Sequence, residues 1–160
     1  MGDHGDDTIE ATVERYVALR EAIERKEKHW TDLAVFFTDD AVYIDPAWGR
    51  VQGMDKLLEF FDESMRGLED WEFPIDFTAI VGDMVAVKWT QIVPASDGRR
   101  FEQSGYSTMH YAGGGKFDYE EDLLNMAHVL EDLKAAAWRP GADFVMPPAA
   151  PDRDWSLPGA

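Results

Sequence analysis

The stretch Phe73-Pro74-Ile75-Asp76-Phe77-Thr78-Ala79-Ile80-Val81 decides the fold, because the hydrophobic period changes there. Phe73, Ile75, Phe77, Ala79 and Val81 alternate with polar or smaller residues, which is the repeat of a half-buried strand. Gly82-Asp83 predicts a turn. Beyond it, Met84 to Val93 reads as a strand, Ser96-Asp97-Gly98 as a turn and Phe101 to Tyr111 as another strand. Gly113-Gly114-Gly115 turns the chain again, and Lys116 to Asn125 is the last strand. Met126, Val129, Leu130 and Leu133 begin a closing helix.

Upstream the period is helical. Ile9, Val13, Tyr16, Val17 and Ile23 form one stripe over residues 8–27, and Asp7 with Glu10 has the spacing of a capping box. His29 to Phe37 predicts a short helix with Trp30, Leu33, Ala34 and Phe37 inward. Ala41 to Asp45 alternates like a strand that Pro46 ends. Gly53 opens a third helix, with Met54, Leu57, Leu58, Phe61 and Met65 as its stripe. Helices grouped before a run of antiparallel strands indicate an α+β fold rather than a parallel α/β sheet. Long strands curving over helices leave a concavity of the kind ligands occupy.

The 160 residues suit one domain, and a 45% hydrophobic content supports a real core. Residues 8–137 read as that domain and residues 138–160, rich in proline, as an irregular tail. A net charge of −17 opposes binding to nucleic acid or to anionic membranes, both of which rest on Lys and Arg. No apolar run reaches membrane-spanning length. The absence of cysteine excludes disulfides and thiolate metal sites. With an acidic N-terminus, Met1 to Asp7, that lacks a signal pattern, a cytoplasmic protein is the simplest reading. The four histidines have no metal-ligand spacing, so neither a metal nor another cofactor is expected.

The segment Phe37-Thr38-Asp39-Asp40-Ala41-Val42-Tyr43-Ile44-Asp45-Pro46-Ala47-Trp48-Gly49 resembles a stretch shared by ketosteroid isomerases and SnoaL-like polyketide cyclases. Gly53 and its helix fit the same pattern, and Tyr106 to Lys116 resembles the penultimate hairpin of that nuclear-transport-factor-2-like superfamily. Glu121 to Met126 with the acidic helix after it resembles the ending of limonene epoxide hydrolases and SnoaL-like cyclases. The resemblance covers about residues 8–137. It implies a cone: a curved mixed or antiparallel sheet wrapped on the N-terminal helices around a central apolar pocket. It also implies a homodimer.

The same resemblance nominates site residues. Asp45 falls at the isomerases' general base, Tyr16 at their oxyanion tyrosine and Ser107 at their protonated aspartate. Asp122 falls at the catalytic aspartate of the hydrolases and cyclases. Tyr43 and Asp45 match the hydrolases' water-holding Tyr and Asn, and Trp89 and Gln91 stand where those enzymes carry an Arg and a second Asp.

Alternation alone also places Tyr43 with Asp45 on one strand face, and Trp89 with Gln91 opposite Lys88. It puts Asp122 with Asp118, Glu120 and Leu124, and the charges on both faces of 118–122 read as a solvated stretch. A carboxylate in an apolar pocket has a raised pKa and suits proton transfer, and two together can split into acid and base. Asp45, Asp122 and Tyr43 are therefore the catalytic candidates, and Tyr16, Phe61, Trp89, Gln91 and Ser107 the substrate-binding ones. The expected activity is cofactor-free acid–base chemistry on a small or polycyclic hydrophobic substrate: isomerisation, cyclisation or dehydration. Epoxide hydrolysis and non-catalytic binding of a small molecule are the alternatives. Asp45-Pro46 as a plain turn, and Gln91 as a buried residue bonded to Asp122 or to backbone, are the structural alternatives.

Overall fold

Thr8, not Asp7, starts the first helix. In a computed structural model that describes residues 7–158, the Thr8 hydroxyl accepts a hydrogen bond from the Ala11 amide at 3.2 Å, capping α1 (Ile9–Glu24). Residues 1–6, with His4 and most of the acidic N-terminus, lie outside the described residues, as do residues 159 and 160. The helix stops short of residue 27, and Lys26 takes a positive φ of 62° just past its end. Its buried stripe is Val13, Tyr16, Arg20 and Ile23, with an arginine on the apolar face.

The predicted second helix is a 3-10 segment, Trp30–Phe36, which buries Leu33 and Phe36. It runs straight into β1 (Phe37–Asp45), so the strand begins four residues before the expected Ala41. A short strand, β2 (Gly49–Gln52), folds back on β1 antiparallel; its four residues are too few for periodicity to reveal. Then α2 (Met54–Glu63) buries Leu57, Phe60 and Phe61. Leu58, expected inward, is exposed, because Leu57 with Phe60 and Phe61 completes a tighter apolar face at i, i+3 and i+4.

Four strands follow: β3 (Ile75–Val81), β4 (Met84–Pro94), β5 (Arg100–Gly113) and β6 (Lys116–Leu124), and the closing helix is α3 (Met126–Ala135). The six strands form one mixed sheet in the order β2-β1-β6-β5-β4-β3, antiparallel throughout except for β1 against β6. The α+β class with helices against a curved mixed sheet holds. No helix among the described residues is long and apolar enough to cross a membrane.

Two irregularities overturn simple alternation. In β3 the register passes from Ile75↔Trp89 to Phe77↔Lys88, so one extra residue switches the facing side chains. Phe77 and Val81, expected inward, are exposed, and Ile80 packs on the core instead. In β6 the pairing passes from Tyr111↔Phe117 to His110↔Tyr119. Phe117 and Glu120 are consequently both buried, while Asp118 leaves the face of Asp122 and pairs with His110 at 2.6 Å. The stretch 118–122 is not a solvated one: β6 is flanked by β1 and β5, and Glu120 is 2% exposed.

The core is aromatic. Tyr43 lies 4.9 Å from the ring of Phe60, 5.5 Å from Phe61 and 6.1 Å from Phe37, which fixes where its hydroxyl points. Among the described residues no helix or strand follows Ala135, yet the tail is not loose. Trp138 packs edge-on against Trp71 and Phe144, each at 5.4 Å. The Arg50 amide donates to the Asp152 carbonyl at 2.9 Å, and Arg153 donates to the Pro46 carbonyl at 2.8 Å. Gly49 makes that docking possible: a Cβ there would lie 2.5 Å from the Asp152 carbonyl oxygen, and its φ of +78° suits glycine alone.

Candidate active site

One cavity of about 550 Å³ runs between the concave sheet face, α2, α3 and the tail. Its lining includes Tyr16, Tyr43, Asp45, Phe61, Trp89, Gln91, Ser107 and Asp122. The structure thus brings all eight sequence-nominated residues to one space. Residues 144–147 of the tail close part of the wall.

Asp122 is the hub. Its Oδ1 accepts from the Ser107 hydroxyl at 2.5 Å and its Oδ2 from the Tyr43 hydroxyl at 2.6 Å. Ser107 in turn accepts from the Trp89 indole N–H at 2.9 Å. Strand register explains the convergence: Tyr43 stands opposite Glu120 across β1–β6, and Ser107 opposite Asp122 across β5–β6. Trp89 stands opposite Gly105, whose missing side chain makes room for the indole; a Cβ there would lie 2.5 Å from the ring.

Two charged residues of this site escaped the sequence reading. Glu120 lies beside Asp122, with its Oε1 3.3 Å from the Tyr43 hydroxyl. Arg20 is 5% exposed; its Nη1 donates to the Tyr16 hydroxyl at 3.0 Å and its Nη2 to the Phe73 carbonyl at 2.9 Å. The guanidinium also lies 4.9 Å from the centre of the Trp30 ring. The signal for Arg20 was present: it sits on the stripe Val13, Tyr16, Arg20, Ile23 at helical spacing. Glu120 had a signal too: alternation put it on the face of Asp122, but the charges on both faces of 118–122 read as a solvated stretch.

These groups share one electrostatic problem. Burial, then the charge of Asp122, holds the Glu120 carboxyl well above the ordinary range. Burial also raises Asp122, but hydrogen bonds from Ser107 and Tyr43 and the Arg20 charge pull it back. The proton of the pair therefore resides on Glu120, and Asp122 carries the negative charge that balances Arg20. Burial, with Glu120 next, raises the Tyr16 phenol, and burial, with Asp122 next, raises Tyr43; both stay neutral donors.

Asp45 is different. Its Oδ1 accepts from the backbone amides of Ala47 and Trp48 at 2.7 and 2.8 Å, so it does make the turn that Asp-Pro suggested. Its Oδ2 has no hydrogen-bond partner among the described residues. Burial, then the nearby Asp122, pushes its pKa to about 6, against the pull of those two amides and Arg153. The turn fixes one oxygen of a carboxylate that lines the cavity and is more basic than usual.

Gln91 donates to Gln103 at 2.8 Å, and Gln103 to Asp132 of α3 at 2.7 Å. Its partner is thus neither Asp122 nor backbone, and its amide carbonyl remains for a ligand. Among the described residues no group of three His, Cys, Asp or Glu side chains is placed to hold a metal ion.

A family model for the SnoaL-like domain matches residues 13–118. No curated protein matches the sequence. Among solved structures, the chain is similar to a candidate SnoaL-like polyketide cyclase from Jannaschia sp. CCS1, with a TM-score of 0.66 and 16% identity over 84% of this chain and 98% of that one. It is similar to TerC, co-crystallised with polyporic acid, with a TM-score of 0.61 and 16% identity over 77% and 98% of the two chains. It is also similar to a protein of ketosteroid-isomerase-like fold from Catenulispora acidiphila, solved with trimethylamine, with a TM-score of 0.60 and 16% identity over 78% and 97%. At these identities the likeness establishes the architecture, while the family match spans most of the sequence: the chain belongs to the SnoaL-like domain family, on the nuclear-transport-factor-2-like fold.

Proposed function

We propose that the protein is a cofactor-free acid–base enzyme acting on a small or polycyclic apolar molecule, of the isomerase, cyclase or dehydratase type. The observation that carries this reading is the pairing of two unlike carboxylate centres on one apolar cavity. Asp45 presents a free oxygen with a pKa of about 6, near the pH at which it would work. Glu120 and Asp122 together retain a proton on the same network. In this reading Asp45 takes a proton from a carbon beside a carbonyl. Asp122, supplied by Glu120, returns one elsewhere on the substrate; Asp45 then gives its proton up to solvent and the Glu120–Asp122 pair takes one back, which restores the starting protonation state. Tyr43 and Ser107 donate hydrogen bonds that hold Asp122 in place, and Tyr16, Phe61, Trp89 and Gln91 shape and orient the ligand. Members of the family in polyketide chemistry support the reading as an analogy of fold and site type, not of substrate.

The experiment is a mass-spectrometric screen of the purified protein against apolar metabolites and epoxides, with Asp45→Asn and Asp122→Asn alongside. A compound converted without mass change, or with loss of water, and spared by either variant is the expected result. Diol formation from an epoxide would favour the hydrolase alternative. A compound bound by all three proteins and converted by none would overturn catalysis in favour of a binding module.

A further inference from the structure

The turn that carries Asp45 is held twice. From within, the Asp45 carboxylate accepts from the Ala47 and Trp48 amides, and Pro46, Ala47 and Trp48 line the cavity with it. From without, the tail is fastened to the same few residues. Arg153 donates from Nη1 to the Pro46 carbonyl at 2.8 Å. The Arg50 amide donates to the Asp152 carbonyl at 2.9 Å, and the Arg50 side chain to the Asp154 carbonyl at 3.2 Å. Between these points the contact is close: a Cβ on Gly49 would lie 2.8 Å from the Pro151 side chain. Residues 151–154 thus form a strap on residues 46–50. The same tail supplies Phe144 to Pro147 to the cavity wall.

Arg153 differs from the other fasteners in what it brings. The bonds made by Arg50 already fix the strap, whereas Arg153 adds a positive charge. It is the one cation between residues 140 and 158, in a chain of net charge −17, and it binds the residue next to Asp45. The charged groups that act on Asp45 are Asp122 from β6, which opposes its ionisation, and Arg153 from the tail, which favours it. Tyr43, on its own strand, is kept neutral by burial and by Asp122. A general base has to be ionised before it can accept a proton, and a buried carboxylate close to another one resists ionisation.

We propose that Arg153 is a positioning residue for Asp45: strapped to Pro46, it steadies the turn and places a positive charge where the base is presented. This rests on the reading of Asp45 as the base. Arg153 touches no substrate in this account and acts through Asp45 alone. The strap is then a working part of the site, since one segment both walls the cavity and holds the turn of the base.

The test reads Asp45 directly and needs no ligand. The full chain is labelled with carbon-13 at the aspartate side-chain carboxyls, and the Asp45 signal is the one missing in Asp45→Asn. In the parent it should titrate near pH 6. Arg153→Gln should raise that midpoint by about half a unit, a threefold gain in proton affinity, as suits a partly exposed charge pair. Arg153→Lys, which keeps the charge, should restore most of the difference. Amide exchange at Ala47 and Trp48 should also quicken in Arg153→Gln. A midpoint near 6 that Arg153→Gln leaves unmoved, or a rise that Arg153→Lys does not reduce, would overturn the inference and leave the acid–base reading standing. A parent midpoint at the ordinary 3.8 would overturn both.

Discussion

Replacing Asp45 by Asn should make the protein more stable at neutral pH while removing its activity. Asn keeps an oxygen to accept from Ala47 and Trp48, so the turn survives. What it removes is a negative charge that the fold holds at a cost. A rise from the ordinary 3.8 to about 6 means that the folded protein binds this proton more tightly than the unfolded chain, by about 3 kcal/mol. The sign follows. Above pH 6 the ionised carboxylate costs the folded state that full amount. As pH falls from 6 towards 3.8 the folded protein takes up the proton first and the cost fades; below 3.8 both states are protonated and it is gone. Asp45→Asn should therefore melt about 6–12 °C above the parent at pH 8, with the gap closing near pH 4. Differential scanning calorimetry from pH 4 to 8 reads this directly. A gap independent of pH, or a variant less stable at pH 8, would refute the claim that Asp45 is a buried, destabilised base.

The remaining predictions test other parts of the account. Glu120→Gln should unfold in urea within about 1 kcal/mol of the parent, because a protonated Glu120 is nearly isosteric with Gln; a loss of several kcal/mol would mean that Glu120 is ionised and paired. Gly105→Ala should push the Trp89 ring off its seat and break its bond to Ser107, costing about 1–3 kcal/mol and altering the near-ultraviolet circular dichroism of the indoles. Truncation after Trp138 should leave a folded protein whose cavity has lost Phe144, Val145, Met146 and Pro147, so that a ligand found in the screen binds more weakly by calorimetry; unchanged affinity would remove the tail from the site. The outer sheet face carries Phe77, Lys88, Tyr106 and Leu123 in register across β3 to β6, three of them exposed hydrophobics, and we propose this row as the surface of a homodimer. Sedimentation should show a dimer that Tyr106→Glu dissociates, and a monomeric parent would contradict it.

Most of the architecture was legible because long stretches keep one period. Residues 84–93 and 101–111 alternate cleanly and became β4 and β5, and the stripe on α1 survived despite a shifted cap. The errors fall where one residue breaks the period. Asp76 and Asp118 are the extra residues of their strand pairs, and no local composition marks an insertion that only the partner strand defines. The site was legible as a set of residues, since Tyr43, Asp45, Ser107 and Asp122 do meet on one cavity. What pairs with what was not: the buried Glu120 and the bond from Trp89 to Ser107 depend on register and on an absent side chain at Gly105. Arg20 was overlooked because a charged residue on an apolar stripe reads as an interruption, whereas buried between Tyr16 and Phe73 it balances the carboxylates.

The most direct test of the central claim is deuterium exchange in heavy water. Apolar cyclic ketones with protons beside the carbonyl would be incubated with the protein and followed by mass spectrometry. The account predicts that at least one gains deuterium beside its carbonyl faster than in buffer, and that Asp45→Asn returns it to the buffer rate while still binding it. Exchange at the buffer rate with the unaltered protein for every ketone it binds, or exchange undiminished in Asp45→Asn, would contradict the assignment of Asp45 as the base.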